Sequence, residues 1–402
     1  MANRMSKAEF IALVAMMFAT IAFSIDSMLP ALPEIGAQLS PDDINRAQLI
    51  LTSFVLGMGI GTFFTGPISD ALGRKPVIFG GALLYIAASA VAWASSSLEL
   101  VLIARVVQGL GAAGPRVVAM AIIRDLYSGR EMARIISIAM MIFTLVPAIA
   151  PMLGAGVIAL FGWRGIFVSF ILFALIVVGW MSVRLPESLA VENRRPFRLP
   201  LMIAAVQEMF AHPTVRLSIL VQTLCMGMLF TMLTMVQPVY DVIHGRADSF
   251  PFWFGFVALM SGSASLLNAA LVVRVGMRRM VTFAFGAQIA ITSMVILLNM
   301  TNLSPTTSFA LFVFWQTMVF FMAGITIGNL NAIAMEPMGH IAGMAASVIG
   351  SISTVLAAAI AAPIGLLFDG SIAPLTFGIL TMCVLAFGLM LHMGRVEQRL
   401  LA

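Results

Sequence analysis

The stretch GPISDALGRKPV, Gly66 to Val77, places one carboxylate and two cations in a short connection between two long apolar runs. Gly66 lets two helices approach closely, and Gly73 permits a tight turn. Asp70 is spaced to cap a helix end or to pair with Arg74. A buried soluble core has no use for so dense a charge cluster between such runs, so the wider sequence must explain it. Of the 402 residues, 61% are hydrophobic and only 10% charged, and the mean hydropathy is +1.06. Soluble domains carry about 25% charged residues. The composition is that of an integral membrane protein.

A spanning helix takes about 20 apolar residues, so a dozen would use roughly 240 positions. Apolar runs are read at 8–31, 46–68, 77–95, 99–125, 133–159 and 164–185, then at 214–240, 250–272, 281–300, 307–332, 341–367 and 373–393. Lipid offers no hydrogen-bond partners, so all are expected to be helical. The first run exceeds the usual h-region of a signal peptide and is read as a retained helix. The polar stretch 186–213 divides the chain, giving an N-terminal six-helix bundle at 1–185, a cytoplasmic linker at 186–213 and a C-terminal six-helix bundle at 214–402. Of the 22 Lys and Arg, only Arg46, Arg164 and Arg246 fall in the segments opposite the N-terminus, with Arg105 and Arg116 inside the fourth helix. The bias puts both termini in the cytoplasm. A net charge of +5 is therefore topogenic, and no nucleic-acid partner is expected.

The two halves echo each other. LP at 29–30 matches QP at 237–238, GRK at 73–75 matches GMRR at 276–279, and APMLG at 150–154 matches APIG at 362–365. Matches in the same order argue for a parallel repeat of six-helix units, as in alternating-access transporters. The only cysteines, Cys225 and Cys383, sit in apolar runs and form no disulfide framework. No paired metal-ligand motif, G-x-S-x-G elbow or phosphate loop is present, so neither an enzyme nor a cofactor is expected.

The segment from Gly66 through Asp70, Gly73, Arg74 and Lys75 resembles the signature loop of the major facilitator superfamily, with Ala71 where an arginine is common. Asp125, in RDLY at 124–127, is a second candidate partner for Arg74, and the cluster reads as a cytoplasmic gate. Helix 5 carries PAIAPMLGAG at 147–156. Pro147 and Pro151 bend a helix and free carbonyls, and Gly154 permits close packing. With Ala150, these residues resemble the antiporter signature of exporters in that superfamily.

Asp26 and Arg105 are the intramembrane ions of the first and fourth helices. At about 1.5 Å per residue both fall in the outer half of the bilayer, at similar depth. Desolvation favours a protonated carboxylate and a neighbouring arginine opposes it, so the pair is read as the proton-coupling element, in contact directly or through water. Asp26 also has a plainer reading, as an interfacial acid organising the turn before Pro30, and Arg105 as a packing arginine bonded to backbone carbonyls.

SIDSMLPALPEI, together with RDLY and GHIAGMAAS (Gly339 to Ser347), resembles the Bcr/CflA-type drug:proton antiporters over essentially the whole chain. The resemblance implies an all-α, twelve-helix major facilitator fold of two six-helix bundles, in a bacterial inner membrane. It implies proton-driven efflux of drug-like small molecules by a monomer. The alternative on the same fold is export or import of a cellular metabolite such as a sugar or amino-acid derivative. Phe18 stands where some related exporters carry a second acid. A substrate pocket is expected near the midplane between the halves, with Phe18, Ala22, Gln108, Ala112, Phe230, Thr234, Gln237 and Gln316 as candidates by helical spacing.

Overall fold

The computed structural model describes residues 5–401, so Arg4 lies outside the described residues. They form helices and turns with no strand among them. The chain divides into two compact units, Met1–Leu199 and Pro200–Ala402.

Unit 1 opens with α1, Lys7–Asp26, capped by Ser6, whose side chain accepts from the Glu9 amide at 3.2 Å. After α1 the chain takes a 3-10 turn at Leu29–Ala31 and a short helix α2, Leu32–Leu39; Pro30 and Pro33 sit in the first turns of these pieces, where a missing N–H costs nothing. The spans α3 (Leu49–Leu72), α4 (Arg74–Ala94), α5 (Leu98–Leu126), α6 (Gly129–Phe161) and α7 (Arg164–Arg184) follow. One residue, Gly73, separates α3 from α4; its φ of 104° is a conformation in which a side chain would be strained. α6 continues through Pro147 and Pro151 as a 33-residue helix.

Ion pairs bind the two ends of unit 1. At one end Lys7 of α1 meets Glu131 of α6, and Glu9 takes a paired contact from Arg184 of α7 at 2.6 and 2.7 Å. At the other, Arg46 bonds Glu99 at 2.8 Å and the Trp163 indole donates to Gln38 at 2.8 Å. Between them α3 and α5 touch backbone to backbone: a Cβ on Gly57 would enter the Val106 carbonyl, and one on Gly109 the Phe54 carbonyl. Small residues permit such approach where lipid supplies no hydrophobic drive between helices.

Unit 2 contains α8 (Leu199–Ala211, beginning one residue earlier), α9 (Pro213–Pro238), α10 (Phe250–Val275), α11 (Met277–Asn299), α12 (Pro305–Met335), α13 (Ala342–Leu366) and α14 (Ala373–Leu401). Among the described residues, eleven stretches are long and apolar enough to cross a membrane. The 62-residue one, Pro305–Leu366, is two helices: Met338, with φ −106° and ψ 23°, breaks it between α12 and α13. The protein is a multi-pass membrane protein of twelve spanning helices. The stretch read as a linker, 186–213, consists of a segment with a 3-10 turn at Val191–Asn193 that packs on unit 1, followed by the short apolar helix α8.

Candidate functional site

Two constellations occupy unit 1. The first gathers at the end shared by α3, α4, α5 and α7. Arg74, nearly buried, donates from Nε and Nη2 to Asp125 at 2.8 and 3.3 Å and from Nη1 to Asp70 at 2.5 Å. Nη1 also reaches the Ser69 hydroxyl at 2.8 Å, which in turn donates to the Gly66 carbonyl at 2.9 Å. Planar guanidinium geometry suits this two-sided clamp. Lys75 points the other way, its ammonium donating to the Leu185 and Ser182 carbonyls at 2.7 and 3.2 Å, where the last carbonyls of α7 lack helical partners.

Glu187, which no spacing or motif in the sequence singles out, completes this cluster. Its carboxylate accepts from the amides of Arg74 and Lys75, both at 3.0 Å, and from that of Leu189 at 3.1 Å. It therefore caps α4 from a residue far away in the chain. Burial raises the carboxyl, but the backbone donors overcome it and hold Glu187 below its ordinary 4.5. Ser188 bonds Asp125 at 2.9 Å, and the Arg195 amide donates to the Asp70 carbonyl at 2.9 Å. The extended chain after α7 thus straps the whole cluster.

The second constellation lies around Asp26, the last residue of α1 and only 5% exposed. An ionised carboxylate there is dry and faces the negative end of a helix dipole. Among the described residues it makes no ion pair. The direct contact with Arg105 weighed from depth alone is not formed. Arg105, fully buried, donates from Nε to the Ile50 carbonyl at 3.1 Å, from Nη2 to the Ser24 carbonyl at 3.0 Å and from Nη1 to the Gln108 side-chain oxygen at 2.6 Å. Its guanidinium also lies over the Phe54 ring at 4.4 Å. Gln108 passes the network on through its amide nitrogen to Ser89 at 2.7 Å, and Ser89 donates to the Tyr85 carbonyl at 2.7 Å. Ser24 spends its proton on the Thr20 carbonyl at 2.6 Å, so the Tyr85 hydroxyl, 2.6 Å away, donates to Ser24. Arg105 therefore ties α1, α3 and α4 to α5 within two residues of Asp26.

Helix α6 closes against the same point. Ala150, Pro151 and Gly154 are buried, and a Cβ on Gly154 would enter the Ser27 carbonyl, next to Asp26. Pro147 is only partly buried. Of the expected pocket residues in unit 1, Phe18 packs edge-on against Phe143 at 6.5 Å, and Ala22, Gln108 and Ala112 are buried. The stripe Arg105, Gln108, Ala112 continues along α5 to Arg116, which is exposed although ten residues, roughly 15 Å, separate it from the helix end at Leu126. Helical spacing would have found it.

In unit 2, Phe230, Thr234, Gln237 and Gln316 are buried. Gln316 accepts from the Tyr240 hydroxyl at 3.0 Å, while its amide nitrogen has no partner among the described residues. Tyr240 stands among Phe250, Phe309 and Phe312, each within 5.6 Å ring to ring. Thr234 bonds the Thr231 carbonyl at 2.9 Å, and Gln237 reaches Asp241 at 3.5 Å. No group of three metal-ligating side chains occurs among the described residues.

The Major Facilitator Superfamily profile matches residues 12–362. The chain belongs to that superfamily. Among its curated relatives, a bicyclomycin resistance protein homolog of Haemophilus influenzae is 29% identical over 363 residues, 88% of each chain. The multidrug resistance protein MdtL of Shewanella oneidensis is 27% identical, over 81% of each chain. A chloramphenicol resistance protein of Pseudomonas aeruginosa is 40% identical, over 36% of this chain and 34% of its own. The crystal structure of a D-xylose-proton symporter superposes with a TM-score of 0.74, at 14% identity, covering 95% of this chain and 97% of that one. At that identity the likeness speaks for the fold, and the two-bundle major facilitator architecture is the fold of this protein.

Proposed function

We propose that this superfamily member is a proton-coupled exporter of drug-like small molecules in a bacterial inner membrane, acting as a monomer with both termini in the cytoplasm. The names borne by its relatives support the cargo class. The observation that carries the coupling is Asp26, a buried carboxylate with no ion-pair partner where α1 ends against α6. Its charge is tolerable only while water reaches it, so proton uptake and release follow the opening of each side. Arg105 acts as a positioning residue, holding the α1 backbone beside the acid. The cluster of Arg74, Asp70 and Asp125, strapped by Glu187 and Ser188, is the cytoplasmic latch: its ion pairs form when that side closes and part when it opens. Arg116 offers an intramembrane cation to polar groups of the cargo, and the 31 methionines of the chain give a wall able to adapt to different shapes.

The test is efflux from cells against a substrate panel, with and without a protonophore, in wild type and Asp26→Asn. The wild type should export in a protonophore-sensitive way. Asp26→Asn should insert normally, bind cargo and release no proton on binding. Protonophore-sensitive export surviving in Asp26→Asn would remove Asp26 from the mechanism.

A further inference from the structure

Arg105 bridges α1 and α3 at the Asp26 end of α1, through the Ser24 and Ile50 carbonyls. Beyond that bridge the two helices each pack on α5 and barely on each other. At about 100° per residue, Arg116 lies three turns closer to the Arg74 cluster than Arg105 and about 20° round the axis from it. It lies about 60° from Ala113, which abuts Gly61 of α3. Ile103, 61% exposed, is about 140° away. Arg116 is therefore exposed to the cleft between α1 and α3, and not to the lipid that Ile103 meets.

An arginine keeps its charge, and within a span it is paired or set against water. Arg116 has no hydrogen bond or ion pair among the described residues. Snorkelling to the surface serves arginines near helix ends, and ten residues of α5 separate Arg116 from Leu126. The carboxylates of the unit 1 helices at that end are already taken: Glu9 by Arg184, Glu131 by Lys7, and Asp70 and Asp125 by Arg74. Asp26 is buried beyond Arg105, at the other end of the stripe. The described residues thus supply no counter-charge, and the one that meets Arg116 comes with the cargo. A flat guanidinium fork matches a carboxylate through two parallel hydrogen bonds. One turn to either side, Ala112 and Met120 are apolar neighbours for the rest of the molecule.

We propose that Arg116 is a specificity-determining residue of the cargo site and that the cargo leaves as an organic anion, a carboxylate on an apolar body. This rests on the export reading above and adds the charge class of what is exported. A neutral drug leaves the fork unmet, and a cationic one is repelled.

The test uses the full-length protein purified in detergent, titrated with 1-naphthoate, its uncharged isostere 1-naphthamide and the cationic 1-naphthylmethylammonium. Melting curves establish that each variant is folded. Hydrogen bonds to a charged group are worth about tenfold to a hundredfold in affinity, so the wild type should bind the carboxylate at least about tenfold more tightly than the amide, and the ammonium least. Arg116→Gln should bring carboxylate and amide to within about threefold of each other, and Arg116→Lys, which keeps the charge, should retain most of the preference. Wild-type binding of the carboxylate no tighter than of the amide, absence of binding included, would overturn the proposal. So would an unchanged preference in folded Arg116→Gln, or chloride displacing naphthoate at equal concentration, since that makes the site one for a small inorganic anion. These titrations use no proton gradient, so their failure leaves proton-driven export standing. Absence of protonophore-sensitive export in the wild type would instead remove the export reading, and this proposal with it.

Discussion

Replacing Glu187 with alanine uncaps α4 from a distance of more than a hundred residues, and its effect follows from the bonds lost. Three backbone amides, those of Arg74, Lys75 and Leu189, lose their acceptor. Removing a helix cap costs about 0.5–2 kcal/mol. The favourable charge at the helix N-terminus adds about 0.3–1 kcal/mol, trimmed by screening because Glu187 is only partly buried. A total of about 2 kcal/mol corresponds to roughly thirtyfold faster opening of the first turn of α4. Hydrogen exchange read by mass spectrometry on peptides covering residues 74–80 measures this, with residues 85–92 of the same helix as the internal reference. Glu187→Gln keeps one carbonyl acceptor and should show a smaller acceleration, about fivefold. The wild type should behave similarly at low pH. A carboxyl held below its ordinary value contributes stability that is fully present above about 4.5, the ordinary value, and is lost as the pH falls through the lower folded-state value. Unchanged exchange at 74–80 in Glu187→Ala would refute the cap. Equal acceleration throughout α4 would refute the claim that it acts locally.

Other substitutions probe the second constellation. Gly154→Ala forces a Cβ into the Ser27 carbonyl, backbone that cannot rotate away, and should cost about 1–3 kcal/mol, read as a lowered melting temperature together with lost efflux. Arg105→Lys leaves a point charge where three separate acceptors need a fork; the Ile50 and Ser24 carbonyls cannot both be satisfied, so folded yield should fall even though charge is kept. Arg116→Gln should reduce affinity for anionic or carbonyl-rich cargo in a binding titration while leaving stability within about 0.5 kcal/mol of wild type, since its side chain is exposed.

The helices and the ion-pair cluster around Arg74 were legible because each rests on short-range pattern: apolar length, a charge-dense turn, a glycine that must adopt positive φ. Asp125 was legible as a partner because it ends the helix whose length could be counted. Glu187 was not, since capping by a residue beyond α7 leaves no spacing signal near α4. Counting residues placed Arg105 at the right depth beside the first helix but says nothing about azimuth around it. The guanidinium turns to the carbonyl of Ser24 and not to the carboxylate two residues on. Arg116 was visible in the sequence as an intramembrane arginine; only its exposure, against the burial of Arg105 on the same stripe, distinguishes the two.

The distribution of buried polar groups divides labour between the units. Asp26, Arg74 and Arg105, the buried charged residues among those described, all belong to unit 1. Unit 2 keeps its interior polar without charge: Tyr240 to Gln316, Trp315 to Thr292 at 3.0 Å, Gln288 to Thr292 at 3.1 Å, Asn329 to Asn268 at 2.7 Å. Protonation changes the energy of a buried charge far more than that of a neutral hydrogen bond, so a shift in pH acts most strongly on the buried charges of unit 1. Neutral side chains such as Gln316, with an amide nitrogen still to be satisfied, are suited to hold uncharged polar groups of a ligand without binding protons themselves. If coupling runs through Asp26 as proposed, its energy must be transmitted through the α1–α6 contact at Gly154, so the Gly154→Ala variant should uncouple proton movement from export before it abolishes binding. Binding lost in parallel with coupling would refute that order of effects.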